Sequence, residues 1–94
     1  MADIKFEYDP GKSRINKQKH GVDFEKVKTL WGSPNLQFKT TFAPEDRYGV
    51  IGLINSKLYI CFFTCRKNTI RIISCRRARE KESELYYEHY EEKV

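Results

Sequence analysis

The apolar positions of this chain change their period from one segment to the next. Ile4 to Tyr8 alternates apolar and polar, which predicts a short strand. Asp9-Pro10-Gly11 breaks it. Asp9 suits a helix N-cap and Pro10 the first helical position, so a short basic helix through KSRINKQKH is expected, closed by Gly21 at C′. Asp23 is the expected cap of a second helix, FEKVKTLWG. Its Phe24, Val27, Leu30 and Trp31 fall on one apolar stripe, and Gly32-Ser33-Pro34 stops it.

From Leu36 onward the pattern turns strand-like. Leu36 to Phe42 sets Leu36, Phe38 and Thr40 against Gln37, Lys39 and Thr41, and Ala43 to Asp46 reads as a loop. Tyr48 to Ile54 is a second run, with Asn55-Ser56 as a hairpin turn. The third, LYICFFTC, is apolar on both faces, which predicts a central strand covered on both sides. Arg66-Lys67-Asn68 turns the chain into TIRIISC. A helix is expected from about Ala78 to Glu92, with Ala78, Glu82, Leu85, Tyr86 and His89 on one side. The prediction is one α+β domain over residues 1–94: a small antiparallel sheet of four to five strands, two N-terminal helices and one C-terminal helix.

Composition narrows the function. Charged residues at 33% and aromatics at 14% fit a globular chain, and the net charge of +5 favours an anionic partner: nucleic acid, a membrane surface or an acidic protein. Cys61, Cys65 and Cys75 are odd in number and lack CxxC spacing, so neither a disulfide framework nor a zinc site is expected. They read as reduced, largely buried thiols. With no apolar signal region and no run of membrane-spanning length, a cytoplasmic location without membrane attachment is expected. There is no Gly-rich phosphate loop, nucleophile elbow or HExxH, so no cofactor or metal is expected.

What stands out is a basic sector. Between Arg66 and Arg79 the charged residues are Arg66, Lys67, Arg71, Arg76, Arg77 and Arg79, with no acid among them. Arg76, Arg77 and Arg79 crowd the entry of the last helix, where the helix dipole already places positive potential. Beside free backbone N–H groups they would make an anion site, with phosphate as the expected occupant. A purely structural reading competes: Arg79 pairing with Glu82 on the helix surface, and Arg71 snorkelling over a sheet face. Lys19-His20-Gly21 is the second candidate. His20 either stabilises the helix end or acts as a proton-transfer group or phosphate ligand.

Taken in order, FEYDPGK at Phe6 to Lys12, N-x-x-KHGVDF at Asn16 to Phe24, TCR at Thr64 to Arg66 and RIISCRRA at Arg71 to Ala78, followed by Glu82 and Tyr86, resemble the BrnT family of type II toxin–antitoxin toxins. The resemblance covers nearly the whole chain; Tyr8 stands where the family often has Trp. It implies a RelE-like fold and a ribonuclease that inhibits translation. It also implies a BrnA-like antitoxin, compatible with a heterotetramer, which brings operator DNA only indirectly. Carried over, Arg66, Arg76, Arg77 and His20 are the candidate catalytic residues, and Arg71, Lys19, Lys67 and Arg79 the candidate RNA-binding ones.

The chemistry expected is metal-independent cleavage, with the RNA 2′-OH attacking the adjacent phosphate. Arginine suits charge stabilisation but not proton transfer. His20 is the favoured proton-transfer group, ahead of Glu7, Tyr8 and Tyr86, while Tyr48 or Tyr59 offers a ring for base stacking. The alternatives are a non-catalytic basic module that binds nucleic acid or a partner, and an inactive protein that sequesters its partner.

Overall fold

Five strands form one sheet in the computed structural model, which describes residues 4–41 and 45–91. They are β1 (Lys5–Glu7), β2 (Asn35–Thr41), β3 (Arg47–Ile54), β4 (Lys57–Arg66) and β5 (Thr69–Arg77), in the order β1-β5-β4-β3-β2. The helices are α1 (Pro10–His20), α2 (Phe24–Val27), continued by a 3₁₀ turn over Lys28–Gly32, and α3 (Glu80–Glu91). The α+β architecture and the helix placement are those read from the pattern. Phe42, Ala43, Pro44 and Glu92, where a strand end, a loop and a helix end were expected, lie outside the described residues.

Pairing is antiparallel from β2 through β5, and β1 adds in parallel beside β5, so the sheet is mixed. The doubly apolar run is indeed the middle strand, β4. Its Tyr59, Cys61 and Phe63 join one buried cluster with Phe24, Val27 and Leu30, while Leu58 and Ile60 join another with Ile51 and Tyr86 on the opposite face. Burial of this kind dominates stability; truncating Phe24, which is 1% exposed, to Ala costs about 3–5 kcal/mol.

The caps explain where the helices sit. Asp9 accepts from the N–H groups of Gly11 and Lys12, Pro10 opens α1, and Gly21 ends it at φ 84°. The only α1 side chains that are buried are Ser13 and Asn16. A helix with so little apolar face needs hydrogen bonds to dock. Ser13 Oγ accepts from Phe24 N, while Asn16 donates to Val22 O and accepts from Cys75 N, tying α1, the next turn and β5 together. The Asn of the N-x-x-KHG motif is thus a structural clamp.

The second helix is shorter than the apolar stripe suggests. After Val27 it tightens to a 3₁₀ turn, with Thr29 Oγ1 bonding back to Lys26 O and Ser33 N to Leu30 O. Three-residue spacing still buries Val27 and Leu30 together. Leu30 presses so closely on β3 that a Cβ at Gly52 would stand 2.8 Å from Leu30 Cδ2, which is why the strand has glycine there.

A bulge fixes the arginines of β5. Phe62 pairs with Ser74 but Phe63 pairs with Ile72, leaving Ile73 as the extra residue. Ile70, Ile72 and Cys75 therefore share the face covered by α1 and α2. Arg71, opposite Thr64, and Arg76, opposite Ile60, share the other face. Without the bulge, alternation would separate them.

Candidate nucleic-acid interface

On that second face α3 covers only one part. It packs through Tyr86 onto Ile51, Leu58 and Ile60, and Tyr90 reaches β2 by donating to Asn35 O at 2.6 Å. Among the described residues the other end of the face is open. There an open cleft of about 570 Å³ is lined by Glu7, Glu45, Thr64, Arg66, Lys67, Thr69 and Arg71. β4 supplies Thr64 and Arg66, the following turn Lys67, and β5 Thr69 and Arg71. Lys67 is held in the left-handed region at φ 56°, which fixes the tight turn at the cleft's rim. Arg71 Nη1 lies 3.4 Å from Glu7 Oε1, and both side chains are about half exposed, at 50% and 55%. Three cations around an open floor with hydroxyls of Thr64 and Thr69 suit a phosphate and its ester oxygens.

Arg76 is placed quite differently. Its guanidinium forks onto Glu82, with both N–O distances 2.8 Å, and stacks over Phe62 at 5.5 Å. Only about a quarter of the side chain is exposed. The same carboxylate accepts from the backbone N–H of Arg79 at 2.7 Å, which is the return half of a capping box at the start of α3. The Arg76 guanidinium, and after it the Arg79 N–H, hold the Glu82 carboxyl below its usual range. The arginines at the helix entry therefore answer to a carboxylate that satisfies the dipole. The expected surface pair between Arg79 and Glu82 is replaced by this arrangement: the Arg79 backbone and the Arg76 side chain make the contacts.

Arg77 points to the α1 face, where its guanidinium stacks over Tyr59 at 5.6 Å. The Tyr59 hydroxyl faces the carbonyl of His20 at 3.4 Å. His20 and Lys19 are exposed at the end of α1 and border a small cavity of about 210 Å³ with Lys12, Asn16 and Ser74. The structure thus separates the predicted residues into three places. Arg66, Lys67 and Arg71 share the cleft. Arg76 and Arg79 serve the start of α3. Arg77, near the end of β5, and Lys19 and His20, at the end of α1, lie on the opposite face of the sheet from Arg71.

Several side chains named as aromatic or acidic candidates are occupied. Tyr59 is buried and carries Arg77, and Tyr48 is half-buried and stacks on Phe63 at 5.6 Å, so neither ring is free for a base. Tyr8 donates to Glu25 at 2.6 Å, a contact that raises its pKa, and Tyr86 is buried. Cys61 and Cys75 are free and buried, but Cys65 is exposed, because it falls at the end of β4 beyond the core. Among the described residues no three His, Cys, Asp or Glu side chains gather to hold a metal ion, and no helix is long and apolar enough to cross a membrane.

A family model described as the ribonuclease toxin, BrnT, of type II toxin–antitoxin systems matches residues 8–82. The chain belongs to the BrnT family. A crystal structure of the Brucella abortus ribonuclease toxin BrnT is similar at 26% identity and a TM-score of 0.62, covering 83% of this chain and 100% of that one. No curated protein sequence matches the chain. The family is one of ribonuclease toxins, so an RNA substrate and an antitoxin partner come with membership.

The BrnT match runs across all three groups of basic residues, so membership alone does not rank them. Geometry does. Pattern reading gave Arg66, Lys67 and Arg71 but missed Thr64, Thr69 and Glu45 as cleft neighbours. Thr64 was visible as the first residue of TCR. Glu7 was visible as a proton-transfer candidate behind His20, but its pairing with Arg71 was not, since that depends on β1 adding in parallel.

Proposed function

We propose that this BrnT-family chain is a metal-independent endoribonuclease toxin whose phosphate site is the Arg66–Lys67–Arg71 cleft. The observation that carries the reading is the contrast in engagement: Arg66, Lys67 and Arg71 line an open cleft, whereas Arg76 is forked onto Glu82. In the reaction, the RNA 2′-oxygen attacks the adjacent phosphorus and the bond to the 5′-oxygen breaks. Arg66 and Arg71 stabilise the negative charge that builds on the phosphoryl oxygens, a role that needs permanent positive charge and a forked donor set. Lys67 steers the backbone from the rim. Arg77, Lys19 and His20 form a second contact for the RNA backbone at the far end of β5. Arg76, through Glu82, positions α3 beside the cleft.

In the cell this activity inhibits translation from the cytoplasm. A BrnA-like antitoxin neutralises it in a heterotetramer by covering the basic cleft, and contact with operator DNA is made by the antitoxin. The competing reading, a basic binding module without turnover, uses the same side chains and differs only in the outcome with RNA.

The test is to incubate the purified, partner-free chain with total RNA, with and without EDTA, beside Arg66→Ala and Arg71→Ala variants checked by thermal melt. Cleavage that persists in EDTA and collapses in the folded variants is the expected result. A folded wild type that binds RNA with steep salt dependence and leaves it intact supports the binding module instead.

A further inference from the structure

The cleft supplies phosphate ligands, yet the reaction also needs a group that takes the 2′-OH proton. Arginine does not do this at neutral pH. His20 ends α1, on the face of the sheet opposite Arg71, with its backbone carbonyl facing Tyr59. Tyr8 is committed to Glu25, and Tyr86 is buried. Resting on the ribonuclease reading above, we infer that Glu7 is the general base of the cleft.

Four observations carry this. Glu7 lies opposite Arg71 in the parallel β1–β5 pair, so the backbone fixes its place on the same open face as Arg71. Its carboxylate stands 3.4 Å from the Arg71 guanidinium, the distance at which one phosphate can touch the arginine while its neighbouring ribose hydroxyl faces the carboxylate. The side chain is 55% exposed, and among the described residues its ion pair is with Arg71. The other carboxylate of the cleft, Glu45, sits in the segment before β3 rather than on a paired strand.

The 2′-OH proton passes to a Glu7 carboxylate oxygen as the 2′-oxygen bonds to phosphorus. The bond from phosphorus to the 5′-oxygen breaks, and that oxygen takes a proton from water. The products are a 2′,3′-cyclic phosphate and a 5′-hydroxyl, and Glu7 returns its proton to solvent. Arg71 keeps the carboxylate aimed and shares the phosphate with Arg66.

Single-turnover cleavage of one RNA oligonucleotide by wild type, Glu7→Gln, Glu7→Asp, Glu45→Gln and Arg66→Ala tests this. Each protein is first checked by thermal melt and RNA affinity. Glu7→Gln is expected to lose about 10²-fold or more in rate, the range for a general base, while its RNA affinity stays equal or improves because a negative charge is removed. Glu7→Asp recovers part of the rate, and Glu45→Gln loses much less than Glu7→Gln. A Glu7→Gln protein that cleaves at the wild-type rate or faster overturns the assignment; faster cleavage marks Glu7 as an occupant that RNA must displace. Loss in Glu45→Gln with Glu7→Gln active overturns it too. If Arg66→Ala fails while Glu7→Gln cleaves normally, only the Glu7 assignment falls. A wild type that does not cleave removes both readings.

Discussion

Arg71 and Arg76 sit five residues apart on one strand and, because of the bulge at Ile73, on one face of the sheet. Their surroundings differ in nearly everything else. Arg76 is forked onto Glu82, stacked on Phe62 and mostly covered by α3. Arg71 is half exposed, with a single exposed carboxylate at 3.4 Å. An arginine whose donors are filled by a partly buried carboxylate stabilises the fold, and a ligand must break that pair to reach it. An arginine on open sheet with spare donors is free to bind. Residue type and chain position alone do not tell the two apart; the placement of α3 does.

The largest effect should come from breaking the open side. Arg66→Ala and Arg71→Ala are each expected to slow RNA cleavage by about 10²-fold to 10³-fold, the range for removing one preorganised donor from a charge-stabilising site. Their melting temperatures should stay within a few degrees of wild type, since surface substitutions cost about 0.5 kcal/mol or less. A strong loss of melting temperature in either would assign that arginine to the fold instead.

Breaking the covered side should reverse the pattern. Arg76→Ala leaves the Glu82 carboxylate largely covered and without its forked partner. The expected cost is about 2–3 kcal/mol, which lowers the melting temperature of a domain this size by about 8–24 °C. Cleavage by the fraction that remains folded should be nearly unchanged at low temperature. Arg76→Lys keeps the charge and loses the fork, so it should fall between.

That reversal also shows how far the chain could be read unaided. The strands, caps and the central place of β4 follow from periodicity and from Asp9, Pro10, Gly21 and Asp23, because these act over a few residues. The bulge, the parallel addition of β1 and the reach of Glu82 back to Arg76 depend on contacts between distant segments. Chain order alone sets Arg66 and Lys67 at one end of a strand and Arg76 and Arg77 at the other, within one basic sector. Its division into three places is a tertiary fact, and so is the meeting of Glu7 with Arg71.

Acid sharpens the comparison at smaller amplitude. The folded-state pKa of Glu82 is lowered, first by the Arg76 guanidinium. The unfolded chain therefore binds this proton more readily than the folded one. The stabilisation is fully present above the ordinary glutamate value of about 4.3 and is lost as pH falls through the lower folded value. The melting-temperature gap between wild type and Glu82→Gln should thus be widest near neutral pH and shrink as the solution is acidified below about pH 4. A gap that held constant into that acid range would mean that the pair acts through shape and not charge.

The smallest effect belongs to the third place, where Arg77 stacks on Tyr59 beside the end of α1. This guanidinium lies on the other face of the sheet and towards the other end of β5, so it does not share a phosphate with Arg66 or Arg71. A stack of this kind on a partly exposed site contributes about 0.5–1 kcal/mol, and Arg77→Ala should lower the melting temperature by only a few degrees. If RNA runs past this corner, Arg77→Ala should also flatten the dependence of log K on log salt by about 0.7, the share of one phosphate on a single strand, while cleavage at saturating RNA stays within about threefold. An unchanged slope in Arg77→Ala would confine the RNA to the α3 face, and the stacked arginine would then be a lid on Tyr59 and nothing more.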